Sequence, residues 1–117
     1  MYDPKNIFAR ILRGEIPCDK VYEDDFVLAF RDIAPKAPVH ILVIPKAAYV
    51  DLVDFSTNAS AAEMEGFFRA VSKIATEQGI AGNGFRSIAN TGDHGGQEVP
   101  HFHLHLLGGA PVGPMVS

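Results

Sequence analysis

The chain has 117 residues, 47% hydrophobic and 21% charged, with a formal net charge of −4, which predicts a single domain over residues 1–117 built on one modest core. The acidic balance gives no basic footprint for nucleic acid, and no apolar run is long enough to span a bilayer. One cysteine, Cys18, excludes an internal disulfide, and with no secretory signal in Met1-Tyr2-Asp3-Pro4 a soluble cytoplasmic protein is expected.

Asp3 followed by Pro4 reads as a helix start, an N-cap and then proline at the first helical position. Ile7, Phe8, Ile11 and Leu12 follow at helical spacing, and Gly14 ends the run. Lys20 to Glu23 and Val27 to Asp32 read as two strands around the acidic turn Asp24-Asp25. Ala34 to Pro38, with two prolines, is a loop. His40 to Ile44 is a β-branched strand closed by Pro45. Ser60-Ala61-Ala62-Glu63 matches a capping box. Behind it, Met64, Phe67, Phe68, Val71, Ile74 and Ala75 share a helical face that ends at Gly79. Phe85 to Asn90 is a fourth strand, Thr91 to Val99 a glycine-rich loop, and His101 to Leu107 a fifth strand. Short strands, short turns and two helices predict an α+β fold with a five-stranded antiparallel sheet.

The last strand carries the chemistry. Positions 101 to 105 read His-Phe-His-Leu-His. Side chains on a strand alternate faces, so His101, His103 and His105 share one face and Phe102, Leu104 and Leu106 the other. Packing explains the second face but not the first. Three imidazoles in a row suit proton transfer, nucleophilic attack or metal binding. A single zinc shared by all three is strained, because the outer residues start about 13 Å apart at strand rise, whereas zinc holds its nitrogens at about 2.0–2.1 Å. No metal and no cofactor are expected. Gly92, Gly95 and Gly96 upstream can let backbone N–H groups converge on an anion. A nucleophile beside an anion nest fits phosphoryl or nucleotidyl transfer. Read alone, Asp32 is a turn residue before Pro35, His40 a core histidine, and His94 a solvated one.

The motifs together resemble the histidine-triad family, in particular its Hint branch. The resemblance rests on the triad and on Asn6-Ile7-Phe8-Ala9-Arg10-Ile11-Leu12-Arg13-Gly14-Glu15-Ile16-Pro17. It extends through Leu28-Ala29-Phe30-Arg31-Asp32-Ile33-Ala34-Pro35, Ala37 to Lys46, Asn90-Thr91-Gly92, Gly95-Gly96-Gln97-Glu98-Val99 and Gly113-Pro114-Met115. It implies a homodimer in which two five-stranded sheets join into one of ten strands. It also implies hydrolysis of purine nucleoside phosphoramidates through a nucleotidyl-histidine. A nucleotide-binding adaptor with vestigial activity, or a dinucleoside polyphosphate hydrolase, are the alternatives.

Under that resemblance His103 is the nucleophile, with its far nitrogen held by a backbone carbonyl. His105 serves the phosphate and the departing amine, and His101 and His40 form a supporting proton network behind. Asp32 accepts the ribose hydroxyls, as a group with acceptors only can. Ile7, Phe8, Ile11, Ile16, Phe30 and Ile33 surround the base. Asn90, Gly96, Gln97, Glu98 and Val99 lie on the phosphate side. A carboxylate repels phosphate, so Glu98 is expected to point away or to act through its backbone. Some family members carry a Cys-x-x-Cys zinc site where this chain has Asn6 and Ala9, so that metal is not expected.

Overall fold

The computed structural model describes residues 1–116. Five strands form one antiparallel sheet in the order β1-β2-β3-β5-β4. They are β1 (Lys20–Glu23), β2 (Val27–Arg31), β3 (Val39–Pro45), β4 (Arg86–Ile88) and β5 (Leu104–Gly108). The helices are α1 (Ile7–Leu12), α2 (Leu52–Asn58) and α3 (Ala61–Glu77). The expected fold class and sheet are present, with three helices instead of two.

The central strands are apolar on both faces because both are covered. Val27 and Ala29 of β2, Ile41 and Val43 of β3 and Leu106 of β5 pack with Phe67, Ala70, Ile74 and Ala75 of α3. Leu28, Phe30, Leu42 and Ile44 point the other way and pack with Phe8 of α1. The second face carries the site. His40 precedes Leu42 by two residues, and Leu42 pairs with His105, so both imidazoles emerge on the side covered by α1.

Three local expectations shift. The first helix is capped by Asn6, whose side chain accepts the Ala9 N–H. Asp3 instead closes a turn, its carboxylate accepting the Lys5 N–H while its carbonyl takes the Asn6 N–H and side-chain amide. Two good capping residues lie three apart, and only packing chooses between them. The second change is α2, which starts at Asp51 as N-cap and buries only Phe55. Seven residues with a single buried side chain carry too little periodicity to read. Phe55 matters nonetheless, because it stacks on Phe102 at a centroid distance of 5.0 Å. The third is α3, whose capping box is present as read. However, Phe68 is 54% exposed and Ala70 takes its place in the core.

Candidate functional site

β5 begins at Leu104, so His101 to His103 lie outside the ladder. Their backbone is tied elsewhere: the His101 N–H bonds the Val99 carbonyl, and the Phe102 N–H bonds the Tyr49 carbonyl at 2.7 Å. The alternation of faces survives. Phe102, Leu104 and Leu106 join the α3 core, while His103 and His105 stand together on the opposite side, ring centroids 5.1 Å apart.

Hydrogen-bond partners fix the tautomer of each imidazole. Nδ1 of His103 lies 2.7 Å from the carbonyl oxygen of His101. A carbonyl only accepts, so Nδ1 carries the hydrogen and Nε2 is left with a free lone pair. Nε2 of His101 donates in the same way to the Pro45 carbonyl at 2.8 Å, and its Nδ1 accepts from the Tyr2 hydroxyl at 2.7 Å. Nδ1 of His40 accepts the Lys36 N–H at 3.0 Å. His40 therefore donates from Nε2 to Nδ1 of His105, 2.9 Å away. His105 is left with its hydrogen on Nε2.

All four rings are held neutral. Burial, the largest influence, pushes His101 and His105 down to about 4 and lowers His103 and His40 as well. Removing an imidazolium from water costs more than removing an imidazole. At neutral pH the cluster thus offers an unprotonated Nε2 at His103 and an N–H donor at His105. Phe8 stands edge-on to His103, centroids 5.0 Å apart, and walls that side of the imidazole with carbon.

His101 and His40 do not form one network behind His103. Each belongs to a separate chain: Tyr2 to His101 to Pro45, and Lys36 to His40 to His105. His40 lies near the start of β3, whereas His101 bonds Pro45 at its end, and the nitrogens of both are already occupied. His101, with both nitrogens engaged, is also closed to metal. The donor set that does converge is Asp32, His40 and His105, whose ligand atoms lie within 4.8 Å of one another. A hydrogen already bridges the two histidines of that set.

Asp32 lies at the end of β2 and takes the Ala34 N–H on Oδ1 at 2.8 Å. Its Oδ2 is 3.4 Å from Nε2 of His40. Phe30 and Phe8 are buried, whereas Ile7 is 43% and Ile33 97% exposed. Ile16 is half-buried. Ile11 lines a separate cavity of about 440 Å³ with Leu12, Cys18 and Leu28, and no histidine opens into it.

The loop from Asn90 to Val99 is tightly folded. Asn90 and Val99 are half-buried and Gly96 and Glu98 exposed. Gly92 and Gly96 take φ of 65° and 72°, which side chains with a Cβ rarely adopt. Gln97 does not extend a free amide toward a phosphate. Its Nε2 donates to the carbonyls of Val50 and Val99, and its Oε1 accepts the Gly92 N–H. The amide fastens both ends of the loop to the β3–α2 connection. Buried main-chain groups need partners, and the sequence does not say which side chain supplies them. Tyr2 and the backbone groups of Lys36, Pro45 and Val50 were likewise invisible in the sequence, since their role depends on tertiary contact.

Comparison with known proteins adds the family. The model of the HIT domain matches residues 13–112. The chain belongs to the HIT family. This HIT chain is 57% identical over 99% of its length to a HIT-like protein of Azospirillum brasilense, of which it covers 95%. It is 50% identical over 97% of its length to the purine nucleoside phosphoramidase of Escherichia coli K12, covering 94% of that protein. Among solved structures, a histidine triad protein of Clostridium difficile superposes with a TM-score of 0.85 at 46% identity, with 97% of this chain and 98% of that one covered. A HIT family hydrolase of Clostridium thermocellum gives 0.86 at 40% identity, with 97% of each chain covered. Among the described residues, no helix of this HIT chain is long and apolar enough to cross a membrane.

Proposed function

We propose that this HIT-family hydrolase cleaves the P–N bond of purine nucleoside 5'-phosphoramidates, with His103 as nucleophile. One observation carries the reading: the 2.7 Å bond from His103 Nδ1 to the His101 carbonyl leaves Nε2 unprotonated, with its lone pair unspent. Similarity to a purine nucleoside phosphoramidase supports the substrate class.

In the first step Nε2 of His103 attacks phosphorus and the P–N bond to the amine breaks. The product is a nucleotidyl-histidine, and the amine leaves with a proton. His105 serves this departure from Nε2. Burial, with the nearby imidazoles of His103 and His40, holds it neutral in the free protein, and a bound phosphate anion shifts it toward the charged, acidic form. The imidazolium that develops at His103 keeps its Nδ1–H on a carbonyl, which favours positive charge. In the second step water attacks phosphorus and gives its proton to His105, which the first step left neutral; the P–Nε2 bond breaks, and a nucleoside monophosphate leaves. The Asn90 to Val99 loop holds the phosphate through its backbone. Asp32 keeps free lone pairs for the ribose hydroxyls, and a purine ring covers the exposed Ile7 and Ile33 above Phe8 and Phe30. A homodimer in which two five-stranded sheets join into one of ten strands completes the reading; β1 and β4 each have one strand neighbour. An unpaired strand edge calls for cover.

The decisive experiment is turnover of an adenosine phosphoramidate by wild type and His103→Ala, with a dinucleoside polyphosphate as comparator. The variant is expected to lose turnover while keeping wild-type thermal unfolding and sedimentation as a dimer. Full turnover by His103→Ala would remove the nucleophile assignment. Nucleotide binding without any turnover by wild type would favour an adaptor.

A further inference from the structure

We propose that Tyr2 is a positioning residue for the nucleophile: its hydroxyl clamps Nδ1 of His101, whose Nε2–H is held by the Pro45 carbonyl, and His101 in turn holds the carbonyl that orients His103. The proposal rests on His103 being the nucleophile, and it concerns a residue ahead of α1 that no motif singles out.

The local sequence delivers Tyr2 to the site. The turn closed by Asp3, together with the Asn6 cap, reverses the chain just before α1. Arg13 donates to the Pro4 carbonyl at 2.8 Å and ties the turn to the end of α1. Tyr2 then reaches His101, ninety-nine residues away, at 2.7 Å with the rings edge-on at 5.6 Å. His101 is fully buried. Its Nε2–H is spent on the Pro45 carbonyl, so Nδ1 is a lone pair in a carbon-lined space beside Phe8. A buried acceptor without a donor is costly. The Tyr2 hydroxyl is the donor, and in giving its hydrogen it holds the second nitrogen of the ring in place.

The consequence passes to His103 through one residue. His101 lies outside the strand ladder, so ladder bonds do not set the direction of its carbonyl. Two contacts do. The peptide to Phe102 is held by the Tyr49 carbonyl, and the His101 side chain is clamped at both nitrogens. Release of Nδ1 frees the ring to tilt, and the His101 carbonyl then meets Nδ1 of His103 less squarely. A nucleophile displaced by a fraction of an ångström loses alignment with phosphorus, although binding of the substrate is untouched.

The test is Tyr2→Phe in the full chain, which keeps the ring and removes only the hydroxyl. With histidine nitrogens labelled, the Nδ1 signal of His101 should move from a hydrogen-bonded to a free acceptor, and the Nδ1–H signal of His103 should shift. For an adenosine phosphoramidate, kcat should fall about 5- to 30-fold with KM within twofold. Unmoved nitrogen signals overturn the proposal. So do shifted His101 signals with unchanged kcat, which would make the bond merely structural. If wild type turns over no phosphoramidate, the substrate reading fails by itself, and coupled shifts at His101 and His103 still decide the role of Tyr2. If Tyr2→Phe does not fold, a correlation in wild type between the Tyr2 hydroxyl hydrogen and His101 Nδ1 supports the proposal, and its absence overturns it.

Discussion

His40 hands a hydrogen to His105. Nε2 of the first lies 2.9 Å from Nδ1 of the second, and the Lys36 N–H on the other nitrogen of His40 makes the direction unambiguous. The main chain of the Ala34 to Pro38 loop therefore determines which nitrogen of His105 points into the site with a hydrogen. Asp32, 3.4 Å from the same Nε2, favours that donor.

Replacing His40 by leucine removes the donor and leaves Nδ1 of His105 and the Lys36 N–H without partners. We expect kcat to fall about 10- to 100-fold, near 1.4–2.7 kcal/mol in the barrier. Stability should fall by about 1–3 kcal/mol from the unpaired groups. Steady-state kinetics and urea unfolding measure both. Activity within twofold of wild type would show that the orientation of His105 does not depend on His40.

The Gln97 amide makes three hydrogen bonds that close the Asn90 to Val99 loop, proposed above to hold the phosphate. Gln97→Ala should raise KM and the Kd for nucleoside monophosphate about 10-fold or more, with a smaller effect on kcat. The Gly92 amide should lose protection from hydrogen exchange. Undiminished protection would mean that the loop closes without the amide.

Gly95 is packed against the backbone. A Cβ there would stand 2.8 Å from the Thr91 nitrogen and closer still to its carbonyl oxygen. Main-chain atoms cannot turn aside as a flexible side chain does. Gly95→Ala should therefore displace the loop and weaken nucleotide binding at least 10-fold, while the melting temperature moves little because the loop is exposed. Calorimetric titration with a nucleoside monophosphate gives the comparison, and wild-type affinity would contradict it.

The buried histidines set the pH dependence. His101 titrates near 4 in the folded chain and near 6.5 when unfolded. Between those values the unfolded state binds more protons, so stability is complete above about pH 6.5 and declines as pH falls toward 4. His101 alone accounts for a loss on the order of 3 kcal/mol across that window, and His105 acts in the same direction. Denaturant unfolding at pH 7 and pH 5 should show the decline. For activity, His103 is lowered from its ordinary value, so kcat/KM should stay level down to about pH 6.5 and fall only below it. A limb well above pH 7 would indicate a different titrating group.

The alternation that separates Phe102, Leu104 and Leu106 from the histidines is legible in the amino-acid order. So are the α3 capping box at Ser60 and Glu63 and the apolar runs of β2 and β3. These follow from neighbours along the chain: strand pleat, helix period and cap chemistry are local rules. The triad and its flanking motifs also carried the family. Tertiary structure alone decided the cap at Asn6 over Asp3, the short α2, the start of β5 at Leu104 and the placing of His101 and His40 in two separate hydrogen-bond chains. It also turned Gln97 inward and brought Tyr2 onto His101. In each case a polar group had to find a partner far away in sequence. The tautomer of an imidazole is set by whichever donor or acceptor the fold brings against it, and no local pattern encodes that choice.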